Sequence, residues 1–124
     1  MNLSIAGMLF FVYSALCVAQ SQGYSFTGND LLKKCNGPYV NETEKIASTN
    51  FCQGYLQGLQ QMHQVVADVR RVARLYCEPT KTGNYDQLQR VVVKWLLNNP
   101  EQLHREARVA ATAALIQAFP CSKS

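Results

Sequence analysis

Between Tyr85 and Cys121 the apolar and polar positions follow helical spacing, and the rest of the chain has to pack against this stretch. Leu88, Val91, Val92, Trp95 and Leu96 recur at i, i+3, i+4, i+7 and i+8, which sets them on one stripe and leaves Gln89, Arg90 and Lys94 outside it. Asn84 followed by Gln87 has the form of a capping box, and Asn98-Asn99-Pro100 ends the helix that it opens. The same triplet predicts a second helix, with Asn99 as N-cap, Pro100 at the first position and a body from Glu101 to about Phe119. Its Leu103, Ala107, Ala110, Ala111, Ala114, Leu115 and Ala118 allow close approach, and so short a link folds it back antiparallel on the first.

Upstream, Thr27-Gly28-Asn29-Asp30 starts a short helix that carries Leu31 and Leu32 and ends near Cys35, where Asn36-Gly37-Pro38 makes a corner. A long helical pattern begins at about Asn41 or Thr43. On it Tyr55, Leu59, Met62, Val66 and Val69 step by 4, 3, 4 and 3 along one face, from which Leu59 and Met62 are expected to enter the core. Gly54 and Gly58 share a side of this helix and are expected to admit the alanine-rich last helix. The pattern loosens after Gln64, and a break is expected before Cys77. The reading is an all-α fold, a small bundle of about four helices whose core includes Leu59, Met62, Leu88, Val91, Val92, Trp95, Leu96 and Leu115.

Composition refines the boundaries. Part of the 48% hydrophobic content lies in the run Ile5 to Val18, which is too short for the roughly 20 residues of a spanning helix. Followed by Cys17-Val18-Ala19, it reads as a signal peptide over residues 1–19 with cleavage after Ala19, although residues 1–4 lack the usual Lys or Arg. Residues 20–25 then form a disordered lead-in, and residues 26–124 one helical domain of ordinary single-domain length.

Four cysteines remain in that domain, Cys35, Cys52, Cys77 and Cys121, an even number in an exported chain, which predicts two disulfides. An unbroken helix from Cys52 to Cys77 would span roughly 37 Å, far beyond the ~6 Å between bridged α-carbons. An up-down-up arrangement brings Cys121 level with Cys77, so the expected pairs are Cys35–Cys52 and Cys77–Cys121.

Little here can do chemistry. His63 and His104 lie on different helices, outside any zinc spacing, and are read as surface residues. Nucleophile-elbow, phosphate-loop and dinucleotide motifs are missing, so no cofactor, metal or catalytic residue is expected. Net charge is +4, and Arg70, Arg71 and Arg74 form a basic group best read as a solvated face, with no block of charge long enough to bind nucleic acid. The connection Glu78, Pro79, Thr80, Lys81, Thr82, Gly83 and Asn84 is the long polar link between large helices. Anchored by a cysteine at one end and a cap at the other, it is the expected partner contact.

Five segments in order, TGNDLLxxC from Thr27, CxGYxxG from Cys52, CxP from Cys77, QLxxVVxxWLxxxPE from Gln87 and ALxxAFPC from Ala114, resemble the Rap/Tai immunity family of type VI secretion systems. The resemblance implies a small periplasmic helical protein, often a dimer, that binds a peptidoglycan amidase effector and blocks its catalytic cleft. The competing reading is a periplasmic stress or chaperone-like helical binding protein.

Overall fold

The computed structural model describes Gly23, residues 25–78 and residues 85–122. Four α-helices follow one another, α1 (Gly28–Asn36), α2 (Glu42–Arg70), α3 (Tyr85–Asn98) and α4 (Ala107–Ala118), with a 3-10 turn at Pro100–Gln102. An isolated bridge between Thr27 and Glu106 is the one β-type pairing among the described residues.

The start of α1 explains much of the architecture. A helix leaves its first four N–H groups without intrahelical partners. Here Asp30 N–H donates to Thr27 Oγ1 (3.4 Å) and Leu31 N–H to the Thr27 carbonyl (2.9 Å), while the Asp30 carboxylate closes the capping box on Thr27 N–H (2.9 Å). The other two donors reach across the chain, Gly28 N–H to the Arg105 carbonyl (2.9 Å) and Asn29 N–H to the Leu103 carbonyl (3.0 Å). Such closeness disfavours a side chain at residue 28, because a Cβ there would meet the Leu103 carbonyl oxygen at 3.1 Å and the backbone of the clasp would have to yield.

This clasp also overturns the expectation that the last helix starts at Glu101. The Leu103 and Arg105 carbonyls serve α1, Ala107 N–H donates to the Phe26 carbonyl (2.8 Å), and α4 begins only at Ala107. Asn99 is the N-cap of the 3-10 turn, with Pro100 at its first position, and not of α4; its side chain makes no capping bond there and donates back to the Trp95 carbonyl (2.7 Å), closing α3.

After α1, Gly37 takes φ = +76°, a conformation that suits glycine, and turns the chain toward Asn41. Asn41 Oδ1 accepts from Glu44 N–H (2.9 Å), and Glu42 and Glu44 lie in the first turn, where the helix dipole favours carboxylates. The 29-residue α2 ends at Arg71, which is left-handed with φ = +51°, and an irregular segment leads from there to Cys77, as expected from the loosened pattern.

The bridges join Cys35 to Cys52 and Cys77 to Cys121, with α-carbons 5.2 Å and 4.8 Å apart. Leu31, Cys35, Cys52, Leu56, Leu88, Val92, Leu96, Ala107, Ala110, Ala111, Ala114 and Leu115 form one buried cluster. The alanine stripe of α4 lies against α3 and α1, and Trp95 is half-buried, its Nε1–H donating to Gln117 Oε1 (2.8 Å) across the α3–α4 pair.

Helix α2 departs most from expectation. Its buried residues are Ser48, Cys52, Leu56 and Ala67, whereas Met62 is 60% and Val69 74% exposed, and Leu59 is only partly covered. Met62 is therefore not core. The stripe is real, but α2 turns a neighbouring face to α1 and α3, because the Cys35–Cys52 bridge orients its first half. Gly54 and Gly58 have nothing within 4 Å of a Cβ position, so α4 does not pack there.

Candidate partner-binding surface

Beyond Arg71 the chain runs to the Cys77–Cys121 bridge, and Cys77 N–H donates to the Phe119 carbonyl (2.8 Å), tying this end of the bundle to the end of α4. Leu75 N–H donates to His63 Nε2 (2.9 Å), which requires that nitrogen to be unprotonated. The His63 ring stacks on Tyr76 with centroids 4.1 Å apart and planes 11° from parallel. His63 lies at the surface, as expected, and is also part of a built corner; no motif surrounds it, and its partners come from a segment without regular structure.

Glu78 completes the corner, accepting from Gln60 Nε2 through Oε2. Its Oε1 and the hydroxyl of Tyr76 are buried without a hydrogen-bond partner. Burial, with Glu78 nearby, pushes the Tyr76 hydroxyl up to about 12, and burial raises Glu78 above the ordinary carboxylate range against the opposing hydrogen bond from Gln60. His63 is shifted down by burial and by the positive charge of Arg74.

The sign of the pH dependence follows from these directions. His63 binds its proton less readily when folded, so its contribution to stability is complete above the unfolded value of 6.5 and is lost as pH falls below it. Glu78, shifted up, contributes fully below 4.5 and loses that contribution as pH rises through its folded value. Between pH 7.5 and 5.5 the denaturation midpoint is expected to fall by less in His63→Phe than in the parent, because the substituted ring can still stack but cannot be protonated. Equal falls would show that His63 does not titrate with folding.

Of the expected partner contact, Glu78 sits in this corner; Pro79, Thr80, Lys81, Thr82, Gly83 and Asn84 lie outside the described residues, as does half of the expected Asn84–Gln87 capping box. The expected site therefore begins at a fixed base, with Cys77 held by the bridge and Glu78 by Gln60.

Periodicity alone did not reveal the surface next to it. Met62, Val66, Val72, Leu75, Tyr76 and Thr112 line a hollow of about 320 Å³ between the second half of α2, the irregular segment and α4. A more open hollow of about 410 Å³, lined by Arg105, Arg108, Val109 and Ile116, adjoins it and shares Leu59 and Thr112. Single exposed apolar residues are ordinary, but a continuous apolar patch on one side of a small domain marks a contact surface. Arg108 and Glu106 lie close enough to Tyr55 to influence its hydroxyl, which burial raises, and Arg74 lies near His63, so arginines stand toward both ends of the groove.

Among the described residues no three of His, Cys, Asp and Glu are grouped as a metal site requires, and no helix is long and apolar enough to cross a membrane. The arrangement offers shape, apolar area and charge to a partner. No curated protein and no solved structure matches the chain. Residues 27–121, from the capping threonine of α1 to the second cysteine of the bridge, match the family described as Rap1a immunity proteins, and the chain belongs to that family.

Proposed function

We propose that the mature chain works in the periplasm as the immunity partner of a type VI secretion effector, a peptidoglycan amidase, which it inhibits by occupying the catalytic cleft. Membership of the Rap1a immunity family carries this reading. The expected signal peptide over residues 1–19 and the two disulfides are consistent with an oxidising compartment outside the cytoplasm. The protein acts by binding and not by catalysis. The connection Glu78 to Asn84 is the proposed insert, because Glu78 is held by Gln60 and the preceding Cys77 by its bridge to Cys121, and a residue held in place beforehand loses less entropy on binding.

The test is periplasmic co-expression with the amidase encoded beside the gene. Parent protein should prevent lysis, and replacing Pro79, Thr80, Lys81 and Thr82 with Gly or Ala should abolish protection. Lysis despite the parent would reject the immunity reading for that pair, whereas full protection by the altered form would remove this connection from the site.

The open apolar groove is the one observation that favours a chaperone-like binding protein instead. An acid-triggered chaperone would need a cluster of groups titrating near neutrality, and the chain has two histidines, of which one is built into the corner beside Tyr76.

A further inference from the structure

Phe51, Met62, Val65, Val66 and Val69 are each at least 45% exposed and recur along one side of α2; Phe51 packs against Phe26 and Tyr55, and from Met62 onward the bundle leaves this face open. The face continues into the two hollows that run toward α4. Gly54 and Gly58 keep its first half low, with open space above both. An apolar stripe of this length in an exported domain is costly to leave facing water, and its occupant can be read from the charge around it.

Arg105 and Arg108 line the wider hollow, Arg74 stands beside His63 at the other, and Arg70 and Arg71 close the end of α2 between Val69 and Val72. The carboxylates among them are Asp68 and Glu106, and each is already engaged, Asp68 with Arg74 (3.6 Å) and Glu106 with Arg108. Five guanidinium groups against these two carboxylates and Glu78, which stands beside Tyr76, leave the rim with a surplus of positive charge. A second copy laid on the same face would set arginine against arginine, because a two-fold interface joins a patch to itself. A bilayer is flat, whereas this surface is concave. Both points favour a protein whose surface offers a projecting apolar side chain flanked by carboxylates.

We infer that the groove between α2 and α4 is a second docking surface for the amidase effector, receiving an apolar projection of that protein within a ring of acidic residues. The inference rests on the immunity reading and adds to it a site distinct from the Glu78 to Asn84 connection. Two contacts at neighbouring places on a rigid bundle would fix the orientation in which the connection meets the cleft. The arginine rim would speed the encounter and reject effectors that lack the acidic ring, while the apolar groove would set the lifetime of the complex.

The test measures binding of the purified neighbouring amidase to the oxidised mature protein by calorimetry and by stopped flow. Met62→Asp with Val66→Asp, and separately Val69→Asp, change exposed positions and should leave the circular dichroism spectrum and melting temperature near those of the parent. The double variant is expected to weaken binding about 100-fold, largely through faster dissociation. Arg70→Glu with Arg105→Glu is expected to slow association about 10-fold at low salt and to flatten its salt dependence. Parent-like affinity in folded groove variants would remove the groove and leave the immunity reading intact. Failure of the parent to bind would overturn both. A dimer of the parent that Met62→Asp dissociates without changing effector affinity would make the face a contact between copies. Flotation of the parent with vesicles containing phosphatidylglycerol, lost in Arg70→Glu with Arg105→Glu, would assign it to lipid.

Discussion

Leu96→Ala is expected to destabilise the domain by about 2 to 5 kcal/mol, the range for truncating a buried leucine. Leu96 is fully buried on α3, within a cluster whose α4 contribution is mainly alanine. Alanines have no longer side chain to swing into the space left behind, and the Cys35–Cys52 bridge restrains inward movement of α1 and α2. The result should therefore lie in the upper part of the range, a large share of the roughly 5 to 15 kcal/mol that holds a domain folded. Urea titration followed by circular dichroism measures it, with Met62→Ala as the internal comparison. Met62 is exposed, and its truncation should change stability by no more than about 0.5 kcal/mol. Equal losses at the two positions would mean that the outward orientation of the α2 stripe is wrong.

Removing the Cys77–Cys121 bridge through Cys77→Ser and Cys121→Ser should have the second large effect. With the cysteines 44 positions apart, the loop-closure argument gives about 4 kcal/mol, against about 3 kcal/mol for Cys35 and Cys52, 17 positions apart. The functional loss should exceed the stability loss, since Cys77 is exposed and the bridge is what joins Tyr76 and Glu78 to the end of α4. At a temperature where the variant remains folded, protection against the effector should already be lost if the neighbouring connection makes the contact. A variant that melts within 1 kcal/mol of the parent, an interval below the roughly 2 to 4 kcal/mol of a typical bridge, would show that the entropic argument fails here.

The parts of the fold that depend on local chemistry were legible before the structure. Thr27 with Asp30 announces the start of α1, Asn41 that of α2, and the cysteine pairing followed from the length of a helix compared with the reach of a disulfide. What failed was non-local. Hydrophobic periodicity reported the stripe through Met62 and Val69 correctly, but a period says which residues share a face and is silent on what covers it. The start of α4 was misplaced because Glu101 to Glu106 could continue a helix; the Leu103 and Arg105 carbonyls are instead taken by Asn29 and Gly28, residues too distant in sequence for any local pattern to link. The same limit hid the groove and the corner of His63, Tyr76 and Glu78, which exist only through the juxtaposition of α2 with an irregular segment.

The clasp between α1 and the segment before α4 bears on how the domain can be made. A chain that emerges from its amino end presents Gly28 and Asn29 long before Leu103 and Arg105, and Phe26 long before Ala107, so the first helix cannot have its end closed until more than half of the domain has followed. Early helical turns can form, and α1, α2 and α3 can meet one another, before the last helix arrives, but closure of the amino end of α1 is a late, long-range event. For a protein read as crossing a membrane before it folds, an architecture that leaves the amino end of its first helix open until the last helix arrives keeps that end unfinished during passage.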